Sequence, residues 1–204
     1  MRIPDDLGLR PVGVVTLLIL SAVTLLLAPL ALPPSYSSLS QTTSEAAAQG
    51  LQGAWAARLG FLLFGWAVIW VASFARTTWG RWGAWLLGAF GFFMVAAAVF
   101  SNRPWLPGVP SDSFEDFLHS AASTAMGFAF AGGLVAVGIG RRLPSGLDRA
   151  FDLLALAASV LLPIGMSVST QYAGFLQRSM FLIAMAWFSR EALRSGQIER
   201  RVRQ

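Results

Sequence analysis

Six long apolar stretches, separated by short polar segments, dominate this chain of 204 residues. A helix needs about 20 apolar residues to cross a hydrocarbon core about 30 Å thick. Only 12% of the residues are charged and 55% are hydrophobic, whereas soluble domains carry about 25% charged residues. The sequence therefore predicts an all-α, polytopic membrane protein, a bundle of six transmembrane helices. These helices are expected at residues 12–32, 55–75, 83–100, 117–140, 151–170 and 174–189.

The connections between the stretches are too short to fold alone, so residues 1–204 are predicted to form one transmembrane domain. The first stretch follows Asp5 and Asp6 and lacks the cleavage site of a signal peptide, which predicts a retained helix. Within the polar segment that follows, residues 44–48 predict a short interfacial helix capped by Ser44. Residues 76–82 predict a tight hairpin loop between the second and third helices.

The positions of the arginines predict the orientation of the chain. Positively charged segments are retained in the cytoplasm. If both termini and the alternate connections are cytoplasmic, twelve of the 15 basic residues lie on that side. Both termini are therefore expected in the cytoplasm. The twelve are Arg2, Arg10, Arg76, Arg81, Arg141, Arg142, Arg149, Arg190, Arg194, Arg200, Arg201 and Arg203.

The charge pattern and the composition also exclude several functions. The arginines flank apolar segments and form no single patch, so nucleic acid is not an expected partner. Since the chain has no cysteine, disulfides, thiolate metal sites and cysteine nucleophiles are excluded. Glu115 and His119 are spaced to reach one metal ion from a helix. With one histidine in the chain this signal is weak, so no metal and no cofactor is predicted.

His119 belongs to the densest polar cluster in the sequence, residues 112–119. In one interpretation it acts as a general base beside the acidic side chains. In the other, a serine caps the helix, the acids complement the helix N-terminus, and His119 hydrogen-bonds a neighbouring helix. The residues alone leave both open.

Arg58 and Arg178 are exceptions to the charge asymmetry, because they lie near the outer ends of the second and sixth stretches. A guanidinium group near hydrocarbon must reach the headgroups or find a partner. It can do so by snorkelling, in a structural ion pair, or in a ligand site. Convergence with other outer polar residues would create a pocket for a polar or anionic headgroup. The predicted ligand-binding residues are Ser44, Glu45, Arg58, His119, Gln177 and Arg178.

Three functions follow as hypotheses. In the first, the protein binds or moves a lipid headgroup or small amphiphile, with Arg58 and Arg178 as charge anchors. In the second, it is a membrane-embedded hydrolase that uses His119 as its catalytic base. In the third, it is an accessory subunit that packs against a larger membrane complex, or against another copy of itself.

The order of four motifs resembles a known family. The motifs are residues 36–45, residues 60–65, Phe117-Leu118-His119, and residues 174–178. In this succession they are similar to the domain-of-unknown-function family 998. The resemblance covers nearly the whole chain. It implies a six-helix prokaryotic membrane protein, in a bacterial or archaeal plasma membrane, without an assigned reaction. The family's recurring polar positions correspond to Ser44, Glu45, His119, Gln177 and Arg178.

Overall fold

The computed structural model describes residues 6–141 and 146–203, and these contain helices and loops but no β-strand. Arg2 and Arg142, two of the arginines that predict the orientation, lie outside the described residues. The helices of the described part are α1 (Asp6–Leu27), α2 (Thr43–Ala46), α3 (Ala54–Phe74), α4 (Arg76–Val99), α5 (Ser113–Gly140), α6 (Gly146–Val168) and α7 (Ala173–Arg203).

The six long helices form a closed ring in chain order. Each of α1, α3, α4, α5 and α6 packs against the next, and α7 closes the ring against α1. Consecutive helices run in opposite directions because their connections join neighbouring ends. We call the end that carries residues 28–53 and 100–112 the loop end. The opposite end, where α3 turns into α4 at Ala75, is the hairpin end.

Helix α7 runs along the whole bundle. Near its start, the amide of Gly174 donates to the Ser40 carbonyl at the loop end, over 3.2 Å. Near its other end, a Cβ atom added to Gly196 would lie 2.2 Å from Cγ of Pro11 in α1. α7 therefore spans the bundle from the loop end to the hairpin end, as the other long helices do.

Five of the described helices are long and apolar enough to cross a membrane, namely α1, α3, α4, α5 and α6. α7 is not among them because Gln177, Arg178 and Arg190 leave only a short apolar stretch. The exposed surface carries large apolar side chains such as Trp66, Phe128 and Leu161, a pattern that water-soluble proteins avoid. The protein is thus a helical, multi-pass membrane protein.

Aromatic rings fill the middle of the bundle between α3, α4, α5 and α7. The ring of Phe188 lies 5.4 Å from Phe90, 5.5 Å from Phe130 and 5.2 Å from Trp187, measured between centroids. Phe64 packs 5.4 Å from Phe90 on the α3 side. In lipid, helices associate through van der Waals packing rather than through the hydrophobic effect. Each aromatic pair contributes about 0.5–1.5 kcal/mol beyond its burial.

Two glycines allow α3 and α4 to approach closely. A Cβ atom on Gly65 would lie 2.7 Å from the carbonyl oxygen of Gly91, and one on Gly91 would lie 2.8 Å from the carbonyl oxygen of Gly65. Neither position accepts a side chain without separating the two backbones. The contact is an example of small residues at a transmembrane helix crossing.

Three local predictions differ from the structure. The α-helical part of the first helix ends at Leu27 and continues as a 3-10 turn over Ala28–Ala31, because Pro29 has no amide hydrogen for the α-helical ladder. Residues 76–82 contain the predicted reversal between α3 and α4, but they are more helical than expected. A helical turn begins at Arg76, and Gly80 separates it from the rest of α4 with a positive φ of 69°, a conformation that glycine adopts without strain.

The third difference concerns the short helix α2. Its N-cap is Thr42 and not Ser44, so the predicted cap is wrong. The Thr42 hydroxyl accepts from the Glu45 amide at 3.1 Å, and the Glu45 carboxylate accepts from the Thr42 amide at 2.6 Å. This reciprocal arrangement is a capping box, which gives Glu45 a structural role.

Candidate functional site

Gln177 joins α7 to the start of α2. Its Oε1 atom accepts from the Thr43 amide at 2.7 Å and from the Thr43 hydroxyl at 2.6 Å. Its Nε2 atom lies 3.4 Å from the Ser44 hydroxyl. Gln177 is buried, so its amide serves the exposed backbone donors of α2. Gln177 and Ser44, two of the predicted site residues, are therefore brought together.

Arg178, the next residue on α7, holds the polypeptide just before α2. Its Nη1 atom donates to the carbonyls of Ser38, Gln41 and Gly174 at 2.9, 3.0 and 3.0 Å. Its Nη2 atom donates to the Tyr36 hydroxyl at 2.5 Å. Burial raises the pKa of the Tyr36 phenol, and the charge of Arg178 opposes this only in part. The guanidinium group thus fixes the loop to the bundle.

Arg58 of α3 contacts a different part of the same loop. Its Nε atom donates to the Ala47 carbonyl at 3.0 Å, and its Nη2 atom donates to the Ala48 carbonyl at 3.1 Å. These carbonyls directly follow α2, where a helix end leaves acceptors unpaired. Within the described residues, Nη1 of Arg58 makes no hydrogen bond.

His119 of α5 is buried and lies one turn after Glu115. Its Nδ1 atom is 3.1 Å from the Ala97 carbonyl and 2.8 Å from the Phe100 carbonyl, at the end of α4. Because carbonyl oxygens only accept hydrogen bonds, Nδ1 must carry the proton. His119 thus bonds a neighbouring helix, as the second interpretation expected. No serine is among its hydrogen-bond partners in the described part of the chain.

An open cleft of about 550 Å³ lies at the loop end, between the starts of α3 and α5. Glu115 offers one oxygen to the Ser101 amide at 2.7 Å, and Asp112 caps α5 by accepting from the Phe114 amide at 2.7 Å. The second oxygen of each carboxylate accepts no hydrogen bond from a described residue. The cleft is lined by Gln49, Gly50, Arg58, Pro110, Ser111, Asp112 and Glu115.

The six predicted residues therefore occupy three places at the loop end. Ser44, Glu45, Gln177 and Arg178 surround the start of α2, Arg58 lines the cleft, and His119 lies under it between α4 and α5. Arg58 and Arg178 bind separate loop segments and share no hydrogen-bond partner within the described part of the chain. The role of all six residues in ligand binding stays a prediction. Among the described residues, no three histidine or acidic side chains come close enough to hold a metal ion.

Sequence reasoning missed a second polar cluster, at the hairpin end. Arg141, just after α5, forms an ion pair with Asp152 of α6 and another, 2.5 Å long, with Glu191 of α7. The indole nitrogens of Trp79 and Trp187 donate to Glu191 and Asp152, each over 2.8 Å. The two indoles stack with centroids 5.9 Å apart. One arginine thus joins two carboxylates, and each carboxylate also accepts from one of two stacked rings.

The cluster extends toward the surface of the same end. Arg190 pairs with Asp148 and lies 3.7 Å from Asp152, and Arg194 lies 3.5 Å from Asp148. One signal in the sequence could have indicated it. These acidic residues occur among the arginines assigned to the cytoplasmic side, where opposite charges at neighbouring helix ends are expected to pair.

Comparison with curated proteins and with solved structures gave no match in either case. The family model described as "Protein of unknown function (DUF998)" matches residues 11–193. This range includes the long helices of the bundle except residues 6–10 of α1 and residues 194–203 of α7. The chain therefore belongs to the DUF998 family, as its loop and helix motifs indicated.

Proposed function

We propose that this protein crosses a prokaryotic plasma membrane six times, with both termini in the cytoplasm, and binds a zwitterionic lipid headgroup or small amphiphile at the loop end. The five apolar helices and the matching length of α7 support six crossings. The arginine-rich hairpin end then faces the cytoplasm, and the loop end faces outward.

The cleft beside Arg58 carries the proposal. It places the free Nη1 edge of a guanidinium group near two carboxylates, Asp112 and Glu115, that each keep one unoccupied oxygen in the described structure. Arginine binds phosphate, and carboxylates bind ammonium groups. A phosphoethanolamine group carries both charges and therefore complements the cleft.

The arrangement of Arg178 refines the predicted site. Arg178 uses both of its terminal nitrogens on the loop and on Tyr36. It therefore positions the loop, whereas Arg58 is the anchor for the ligand. Transport through the axis of the bundle is not proposed, because aromatic side chains occupy it.

The test uses a short-chain phosphatidylethanolamine and the purified protein in mild detergent. The double variant Asp112→Asn and Glu115→Gln removes the charges while it keeps the helix cap and the acceptor for the Ser101 amide. Each exposed ion pair contributes about 0.2–1 kcal/mol, so we expect the apparent Kd to rise about threefold to tenfold. Binding is measured as the ligand-induced shift in the thermal unfolding midpoint.

Asp116→Asn is the matched control, because Asp116 lies on α5 but does not line the cleft. It should bind like the wild type. Short-chain phosphatidic acid, which lacks the ammonium group, should bind the double variant at least as well as the wild type. Equal binding of phosphatidylethanolamine to the wild type and the double variant would refute the proposal.

The third hypothesis, an accessory subunit, also has one supporting observation. Only Ala155 and Ala158 of α6 are buried, and Leu153 and Leu161 are more than half exposed. A face of this kind suits either lipid or another membrane protein. A stable complex recovered with the wild type, but not with Leu161→Ser, would favour a partner on α6, whereas an unchanged monomer would favour lipid.

A further inference from the structure

A second groove lies outside α3 and α4 at the hairpin end, and it shares no lining residue with the cleft at the loop end. Its volume is about 550 Å³, within the range of about 300–1,000 Å³ for ligand pockets. Ala72 and Gly88 contribute small surfaces to it. Trp85 and Phe92 project beside them and are 67% and 63% exposed. The groove therefore has a floor of small residues and is bordered by aromatic rings.

A positive charge marks one end of this groove. Arg76 begins α4 at the turn, lines the groove and is exposed. Within the described residues it makes no ion pair and no hydrogen bond through its side chain. A guanidinium group at the edge of the hydrocarbon needs an anionic partner or the headgroup region, and its planar fork matches a phosphate.

The described carboxylates at the hairpin end do not supply that partner. Asp148, Asp152 and Glu191 bind the cluster of Arg141, Arg190 and Arg194. Among the carboxylates that the structure describes at this end, a second copy of the bundle would offer Arg76 only these occupied groups. Charge complementarity therefore favours a lipid phosphate over a helix of another copy.

We infer that one anionic phospholipid of the inner leaflet occupies the α3–α4 groove, with its phosphate at Arg76 and an acyl chain along Trp85, Gly88 and Phe92. α4 rises about 10 Å between Trp85 and Phe92, so the two rings lie along the path of an acyl chain that enters the hydrocarbon. Tryptophan at headgroup depth is typical of such a boundary. The inference rests on the proposed membrane orientation but not on ligand binding in the loop-end cleft.

The experiment counts the lipids retained by the purified protein in native mass spectrometry, from an equimolar mixture of phosphatidylglycerol and phosphatidylcholine. A basic residue near an anionic membrane surface contributes enough to favour the anionic lipid about fivefold. We expect the wild type to retain one phosphatidylglycerol with this preference and Arg76→Gln to lose the preference. Arg81→Gln is the matched control, because Arg81 lies on the same segment but does not line the groove.

A second pair of variants tests the groove itself. A Cβ atom on Gly88 would lie 3.6 Å from Cβ of Ala72, an ordinary contact, so Gly88→Ala should fold normally and Gly88→Leu should fill the groove. We expect lipid retention to fall in Gly88→Ala and to disappear in Gly88→Leu. Gly127→Leu, at a position with open space, should retain lipid like the wild type.

Three results would overturn the inference. The first is equal retention of the two lipids by the wild type. The second is an equal loss in Arg76→Gln and Arg81→Gln, which would indicate a general charge effect. The third is a change from dimer to monomer in Gly88→Leu with unchanged lipid, which would assign the groove to a second copy. Binding of phosphatidylethanolamine at the cleft, measured on the same variants, distinguishes this failure from failure of the proposed function.

Discussion

The indole nitrogen of Trp79 donates a hydrogen bond to the carboxylate of Glu191 over 2.8 Å, across 112 residues of sequence. Glu191 is completely buried, and its second strong partner is the guanidinium group of Arg141. A buried carboxylate is tolerated only when it is paired and hydrogen-bonded. The two contacts therefore hold the middle of α7 against the α3–α4 turn and the end of α5.

Arg141→Ala should destabilise the bundle strongly. The change leaves Asp152 and Glu191 without their shared counter-charge, and removal of one partner from a buried ion pair costs about 3–5 kcal/mol. We expect a clearly lower thermal unfolding midpoint, measured in detergent by circular dichroism. Arg149→Ala, an exposed change in α6, should shift stability by no more than about 0.5 kcal/mol. Equal shifts in the two variants would contradict the role of the cluster.

Gly91→Ala should weaken the contact between α3 and α4. The added methyl group would lie 2.8 Å from the Gly65 carbonyl oxygen, and overpacking of this kind costs about 1–3 kcal/mol. The unfolding midpoint of the purified protein measures the effect. Gly127→Ala adds the same methyl group to α5, where nothing lies within 4 Å, and should not lower the midpoint. A neutral Gly91→Ala would show that the helices separate at little cost.

Alkaline pH should loosen the loop that precedes α2. Since burial raises the pKa of Tyr36 in the folded protein, the phenol stabilises the fold below its usual pKa of about 10. This stability is lost as the pH rises above that value and through the raised pKa. Tyr36→Phe should remove this pH dependence, although it also lowers stability at neutral pH by removing a partner of Arg178.

Ultraviolet absorbance of tyrosinate measures this titration directly. The chain has two tyrosines, so Tyr172→Phe leaves Tyr36 as the sole signal. Its midpoint should lie above that of the same variant unfolded in denaturant. Coincident midpoints would show that the folded environment does not affect the phenol.

The orientation can be tested by cysteine labelling, because the natural chain contains no cysteine. Three exposed positions report on the two ends: Ser111 at the loop end, and Thr77 and Arg201 at the hairpin end. In intact cells, an impermeant maleimide should label Ser111→Cys only. Thr77→Cys and Arg201→Cys should react after lysis. Labelling of both Ser111→Cys and Arg201→Cys from outside would show that α7 does not cross the membrane, whereas labelling of Thr77→Cys and Arg201→Cys alone would show the opposite orientation.

The long helices were predictable from the sequence because their length and hydropathy are local properties. The predictions began α3 at residue 55 and ended α5 at residue 140, and the structure gives Ala54 and Gly140. The errors arose where local rules compete. Gly80 separates a short helical turn from the rest of α4, and Thr42 competes successfully with Ser44 because Glu45 completes its capping box.

The polar contacts were less predictable because they join distant segments. Gln177 reaches Thr43 across 134 residues, and its function depends on how α7 packs beside the loop. The sequence identified Gln177 through the family motif but not its partner. Likewise, nothing in the local spacing of Asp152 and Glu191 shows that Arg141 lies between them.

The closure of the ring by α1 and α7 has a consequence for biogenesis. The Pro11 ring of α1 packs where Gly196 of α7 has no side chain. The ribosome completes α1 long before α7, with four other long helices in between. Throughout that interval the face of α1 that receives α7 must be covered by lipid or by the insertion machinery. The ring can therefore close only after α7 has been synthesised and inserted.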